Sequence, residues 1–142
     1  MKLLILNGPN LNMLGIREKH LYGSQDYASL CAFLQKTADD MQIEIEVFQS
    51  NHEGALVDAI QGAYQQVDGI VINPAAYTHT SVAILDALKA VSIPACEVHL
   101  TDVNSREDFR KISFVRQACE KTFSGFGFEG YKMAMEYLAQ KR

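Results

Sequence analysis

Four short apolar or β-branched runs, Lys2 to Leu6, Ile43 to Gln49, Gly69 to Asn73 and Pro94 to Leu100, are separated by stretches whose apolar residues return every three or four positions. Such alternation of strand and helix periodicity confines a chain to right-handed βαβ crossovers, with helices covering both faces of a parallel sheet. The first, third and fourth runs read as strands buried on both faces, whereas Ile43, Ile45 and Val47 alternate with glutamates as on an edge strand. Tyr27, Leu30, Cys31, Leu34, Ala38 and Met41 form one helical stripe, with Ser24 or Asp26 available as cap. Ala55 to Ala63 and Val82 to Val91 form two more, and Tyr131, Met135, Tyr137 and Leu138 a fourth after Gly130. A short strand around Lys121 to Ser124 completes a set of five.

Five strands predict a flavodoxin-like three-layer α/β sandwich of strand order 2-1-3-4-5. With 142 residues, 48% apolar and 21% charged, and no compositional break, residues 1–142 read as a single domain that buries roughly two thirds of its unfolded surface. Net charge is −4 and the basic residues are scattered, which argues against nucleic acid as a partner. MKLLILNGPN turns too soon for a signal-peptide core and no run of about 18 apolar residues occurs, so no membrane association and a cytoplasmic location are expected. Cys31, Cys96 and Cys119 lack CxxC spacing and read as buried thiols in a reducing compartment.

In such sheets ligands bind at the carboxyl ends of the strands, beside the switch point between the first and third. The segments that follow strands 1, 3 and 4 are NGPNLNMLGIREKHLYG, NPAAYTHTS and HLTDVNSREDFR, and they hold three of the four histidines together with Arg17, Arg106 and Arg110. The first, residues 7 to 23, is far longer than the usual two to about six residues of such a connection, as a lid or binding loop would be, and its asparagines and arginine suit a polar, anionic ligand. Glu97 and His99 leave one face of their strand, either as a proton-donating pair or as a hydrogen-bonded pair at the core edge. His79 precedes Thr80 and Ser81, candidate caps of a helix whose free N–H groups favour an anion; the alternative is a cap with an incidental histidine. Asp86 stands alone on an apolar helix, and Arg17 with Tyr22 is either a guanidinium-assisted phenol base or a packed tyrosine beside a solvated arginine.

Three motifs, LNGPNLNMLGIRE with YG four positions on, INPAAYTHTS and EVHLTDVNSREDFR, stand in order. With them the chain resembles type II 3-dehydroquinate dehydratase, of the shikimate and quinate pathways, from its first strand to EGYKMAMEYL. The resemblance implies a flavodoxin-like fold, a homododecamer built as four trimers, and anti elimination of water from 3-dehydroquinate through an enolate, with no metal and no organic cofactor. It further implies Tyr22 as the base at C2, Arg17 holding that tyrosine ionised, Asn10 stabilising the enolate, and His99 as general acid oriented by Glu97. Asn73 and His79 match substrate-binding positions, Leu100 and Thr101 the backbone amides that hold the carboxylate, Arg110 the arginine on the ring hydroxyls, and Asp86 an aspartate supplied across the trimer contact. Lys19 stands where proline is common, and Thr101 and Asp102 where serine and asparagine are usual; an inward Asp102 would oppose an anionic substrate.

A flavodoxin-like small-molecule or phosphate-binding module without catalysis shares this fold. It would need a hydroxyl- and glycine-rich loop after the first strand, or acidic residues where Asn7 and Asn73 stand. A Schiff-base dehydratase would need a lysine at the site, and the candidate lysines fall at the other edge or in helical patterns. No HxH or HxxxH spacing marks a metal site.

Overall fold

In the computed structural model, which describes residues 1–16 and 25–141, the strands are β1 (Lys2–Asn7), β2 (Glu44–Gln49), β3 (Gly69–Asn73), β4 (Ala95–His99) and β5 (Lys121–Ser124). All pair in parallel in one sheet ordered β2-β1-β3-β4-β5, the flavodoxin-like arrangement expected from the sequence. The helices are α1 (Tyr27–Met41), α2 (Glu53–Gly62), α3 (Val82–Val91) and α4 (Glu129–Gln140). Successive strand residues face opposite sides, so the sheet feeds two cores. Leu3, Ile5, Val71, Cys96 and Val98 pack against α1 and α4, while Leu4, Leu6, Ile70, Ile72 and Ala95 pack against α2 and α3. Each fully buried leucine or isoleucine contributes about 1.5–3 kcal/mol of transfer free energy.

Local chemistry fixes the helix starts. Asp26 accepts the Ser29 backbone N–H at 2.8 Å to cap α1, and Ser81 accepts that of Ile84 at 2.9 Å to cap α3. Helix α4 begins at Glu129, so Gly130 lies inside its first turn rather than ahead of it. A Cβ there would sit 3.3 Å from Val98 Cγ1, which is why the helix packs so closely on β4. The cysteines are free thiols, but only Cys96 is buried; Cys31 and Cys119 are half-buried, Cys119 at the margin of the α2–α3 core. Among the described residues no helix is long and apolar enough to cross a membrane.

Candidate active site

The carboxyl ends of β1, β3 and β4 open onto a cavity of about 160 Å³ lined by residues that include Asn10, Asn73, His79, His99, Leu100, Thr101, Arg106 and Arg110. Seven of these eight are residues singled out from the sequence for a role; Arg106 is the addition.

The floor begins where two strand ends lie side by side, Asn7 opposite Asn73 in register. The Gly8 N–H donates to the Asn73 carbonyl at 2.8 Å. A Cβ at Gly8 would lie 2.4 Å from the Pro74 carbonyl oxygen, so only glycine permits this approach. Asn10 then turns the chain at φ 71°, a left-handed conformation that asparagine tolerates better than most residues. Its N–H donates to Asn51 Oδ1 at 3.0 Å, and Gln49 Nε2 donates to the Gly8 carbonyl at 3.1 Å, so the end of β2 braces the turn.

Asn73 is 3% exposed and both ends of its amide are used. Its Oδ1 accepts the Ala75 N–H at 3.1 Å, which steadies Ala75 at φ 52°. Its Nδ2 donates to Tyr131 Oη at 2.9 Å, and Tyr131 Oη donates onward to Asn7 Oδ1 at 2.7 Å. Tyr27 Oη receives Asn7 Nδ2 at 3.4 Å. Burial pushes the Tyr131 phenol far up and Tyr27 up to about 12, so both act as neutral hydrogen-bonding groups.

On the other side of the cavity, His79 Nδ1 donates to the Ile112 carbonyl at 2.7 Å. Burial holds His79 below its ordinary value, against the raising effect of that backbone bond, so the ring is neutral near pH 7 and Nε2 keeps a lone pair. Arg110 lies half-buried, its Nε donating to Glu107 at 2.6 Å and its guanidinium 5.1 Å from the Phe109 ring centroid. Leu100 and Thr101 follow β4, their carbonyls held by the Gly127 N–H at 3.0 Å and the Ser124 hydroxyl at 3.1 Å.

Glu97 and His99 share one face of β4, and His99 Nε2 hydrogen-bonds to Glu97 Oε2. Glu97 is 0% exposed, and it also accepts Thr78 Oγ1 at 2.8 Å and Ser113 Oγ at 3.0 Å. Burial alone would push its carboxyl up; the bond and charge of His99 and the two hydroxyls outweigh that and hold it below the usual carboxylate range. The imidazole is therefore paired through Nε2 with an anion, and Nδ1 is its other proton-carrying position.

Asp86 is exposed on α3 and does not line the cavity. Arg17, Lys19, Tyr22 and the alternative cap Ser24 lie outside the described residues. Asp102 turns away from the cavity: its Oδ1 caps the Val103–Ser105 turn through the Asn104 N–H at 3.0 Å. Asn7, Thr78, Ser113 and Tyr131 support the site although none had been given a role; Asn7 and Thr78 stand inside the motifs, but their partners lie far along the chain.

The family model described as Dehydroquinase class II matches residues 1–139. The 3-dehydroquinate dehydratase of Clostridium acetobutylicum is 50% identical over 138 residues, covering 97% of this chain and 96% of its own. That of Lachnospira eligens is 53% identical over 138 residues, covering 96% and 94%. The crystal structure of type II dehydroquinase from Butyrivibrio crossotus superposes with a TM-score of 0.96 at 52% identity, covering 98% of this chain and 97% of that one.

Proposed function

This chain belongs to the class II dehydroquinase family, and from that premise we propose how its cavity dehydrates 3-dehydroquinate to 3-dehydroshikimate. The enzyme is a carbon–oxygen lyase of the shikimate pathway, as its relatives at about half identity are 3-dehydroquinate dehydratases. Ionised Tyr22, favoured by the Arg17 guanidinium, takes the C2 proton next to the ketone. The electron pair moves onto the ketone oxygen, and Asn10 stabilises that enolate, a contribution of several kcal/mol at such sites, about 3 for one donor. The enolate then collapses, the C1–O bond breaks on the face opposite the lost proton, and His99 Nδ1–H protonates the departing hydroxyl as water.

The observation that carries this reading is the buried Glu97–His99 pair beside the cavity. A neutral imidazole that donates Nε2–H to Glu97 has only a lone pair at Nδ1, so the acid is the imidazolium, held through Nε2 on the carboxylate. The His79 Nε2 lone pair and the Asn73 amide suit substrate hydroxyls, Leu100 and Thr101 N–H groups the carboxylate, and Arg110 the ring hydroxyls. The homododecamer of four trimers belongs to the same proposal: exposed Asp86 reaches a cavity only from a neighbouring copy.

The test is the ultraviolet absorbance of the conjugated enone product. Wild-type protein raises it, while Tyr22→Phe and His99→Ala each lose about 100-fold or more in turnover and remain folded, each lacking one proton-transfer group. Near-normal turnover in either variant would remove that residue from its role.

A further inference from the structure

The hydroxyls of Thr78 and Ser113 meet the Glu97 carboxylate from two separate segments, the turn after β3 and the loop that follows Arg110. We propose that Thr78 and Ser113 are positioning residues for proton delivery, a two-hydroxyl clamp that keeps Glu97 anionic and aimed at His99 while tying the His79 segment to the same point. The proposal rests on reading His99 as the general acid.

Hydrogen-bond bookkeeping carries it. Thr78 is 0% exposed and Ser113 6% exposed, so neither hydroxyl has water as an easy alternative partner. Ser113 Oγ accepts the Arg116 N–H at 3.1 Å, which leaves its proton for the carboxylate. Thr78 Oγ1 and Ser113 Oγ lie 2.6 Å apart, one contact more than their two protons serve if both point at Glu97. That crowding is favourable only against an acceptor with no proton of its own, which is an ionised carboxylate.

The same two segments are joined through their backbones. The Phe114 N–H donates to the Thr78 carbonyl at 2.8 Å, and the Ile112 carbonyl takes the His79 ring N–H at 2.7 Å. Moving Ser113 therefore moves the partner of His79 as well as that of Glu97. Removing an ion from water into a protein interior costs several kcal/mol, and an imidazolium alone meets one of the carboxylate oxygens. The hydroxyls supply the remaining donors. Without them Glu97 takes up a proton at higher pH, and a neutral carboxyl is no longer an anionic partner for the His99 ring. Among the described residues, the titratable groups that act on Glu97 are His99 on its own strand, His79 from the turn after β3, whose ring Arg110 also influences, and the Cys119 thiol ahead of β5.

The experiment compares full-length wild type with Thr78→Val, Ser113→Ala and the conservative Thr78→Ser, using kcat, KM, the pH profile of kcat and a 13C-carboxyl NMR titration of Glu97. Each hydroxyl deletion is expected to lower kcat about 10-fold, in the range typical of a lost orienting hydrogen bond behind a site. KM should stay within about 2-fold, as such a loss falls on the transition state rather than on substrate binding. The acid limb of the profile and the Glu97 titration midpoint should both move to higher pH, and Thr78→Ser should restore wild-type behaviour. If Thr78→Val does not fold, Ser113→Cys, which keeps the volume and weakens the donor, carries the same expectations.

An unmoved Glu97 midpoint, or a Thr78→Ser variant as impaired as Thr78→Val, would overturn the clamp. His99→Ala separates this from the underlying reading. Full turnover in His99→Ala with a raised Glu97 midpoint in Thr78→Val would overturn the acid assignment instead, since the titration does not depend on turnover.

Discussion

Strands β2 and β4 both place glutamate among apolar residues, yet the two strands put it to opposite uses. On β2, the edge strand, Glu44 and Glu46 share one face and are exposed. Lys2 approaches Glu46 only to 3.9 Å, and an exposed pair of that kind contributes about 0–1 kcal/mol. On β4 the Glu97 carboxylate is fully buried and has three side-chain donors from three segments. A solvated glutamate on an edge blunts aggregation and asks nothing of its neighbours. A buried one must be surrounded by donors, and the fold supplies them where the cavity lies.

The largest expected contrast is in stability. Glu97→Ala leaves an imidazole and two hydroxyls buried without their acceptor, and should cost about 3 kcal/mol in denaturant unfolding. Glu46→Ala should stay within about 0.5 kcal/mol. Equal costs would mean that Glu97 is no more committed to its neighbours than an edge residue. The contrast depends on pH with a definite sign. Because the folded carboxyl of Glu97 titrates below its ordinary value of 4.5, its contribution is fully present above that value and is lost as pH falls through the lower, folded value. The stability gap between wild type and Glu97→Gln should therefore persist at pH 7 and shrink only well into the acid range.

Tyr131→Phe comes next. It removes the hydroxyl between the Asn7 and Asn73 amides and should cost about 1–3 kcal/mol, read as a lower unfolding midpoint. A neutral outcome would mean that water replaces the phenol. Smaller again is the cost of Asp26→Ala at the start of α1, a lost cap of about 1 kcal/mol measurable by thermal unfolding. Asp26 is exposed, and so shows what a carboxylate contributes when it serves local structure alone.

The sheet order was legible because each strand and helix carries its period in its own residues, and only one economical topology joins five such strands. The cavity was legible for a related reason: Asn73 and His99 end β3 and β4, Asn10, His79 and Arg110 follow β1, β3 and β4, and the strand-end rule gathers them. Hydrogen-bond partners distant in the chain were not. Tyr131 reaches Asn7 across 124 positions and Ser113 reaches Glu97 across 16, and no periodicity in a single sequence links them. Thr78 stood in plain view within YTHTS, but beside two candidate helix caps a threonine gives no sign that its hydroxyl turns inward. Asp102 was a conditional case: its charge would oppose an anionic substrate only if it pointed inward, and the Asn104 N–H holds it in a turn instead.

The central claim is that the buried carboxylate serves proton delivery and the edge carboxylates do not. Its most direct test is kcat on 3-dehydroquinate at pH 7 for Glu97→Gln beside Glu46→Gln, both confirmed as folded. The account predicts a fall of about 10- to 100-fold for Glu97→Gln, from loss of the group that orients His99, and wild-type turnover for Glu46→Gln. Wild-type turnover in Glu97→Gln would contradict it.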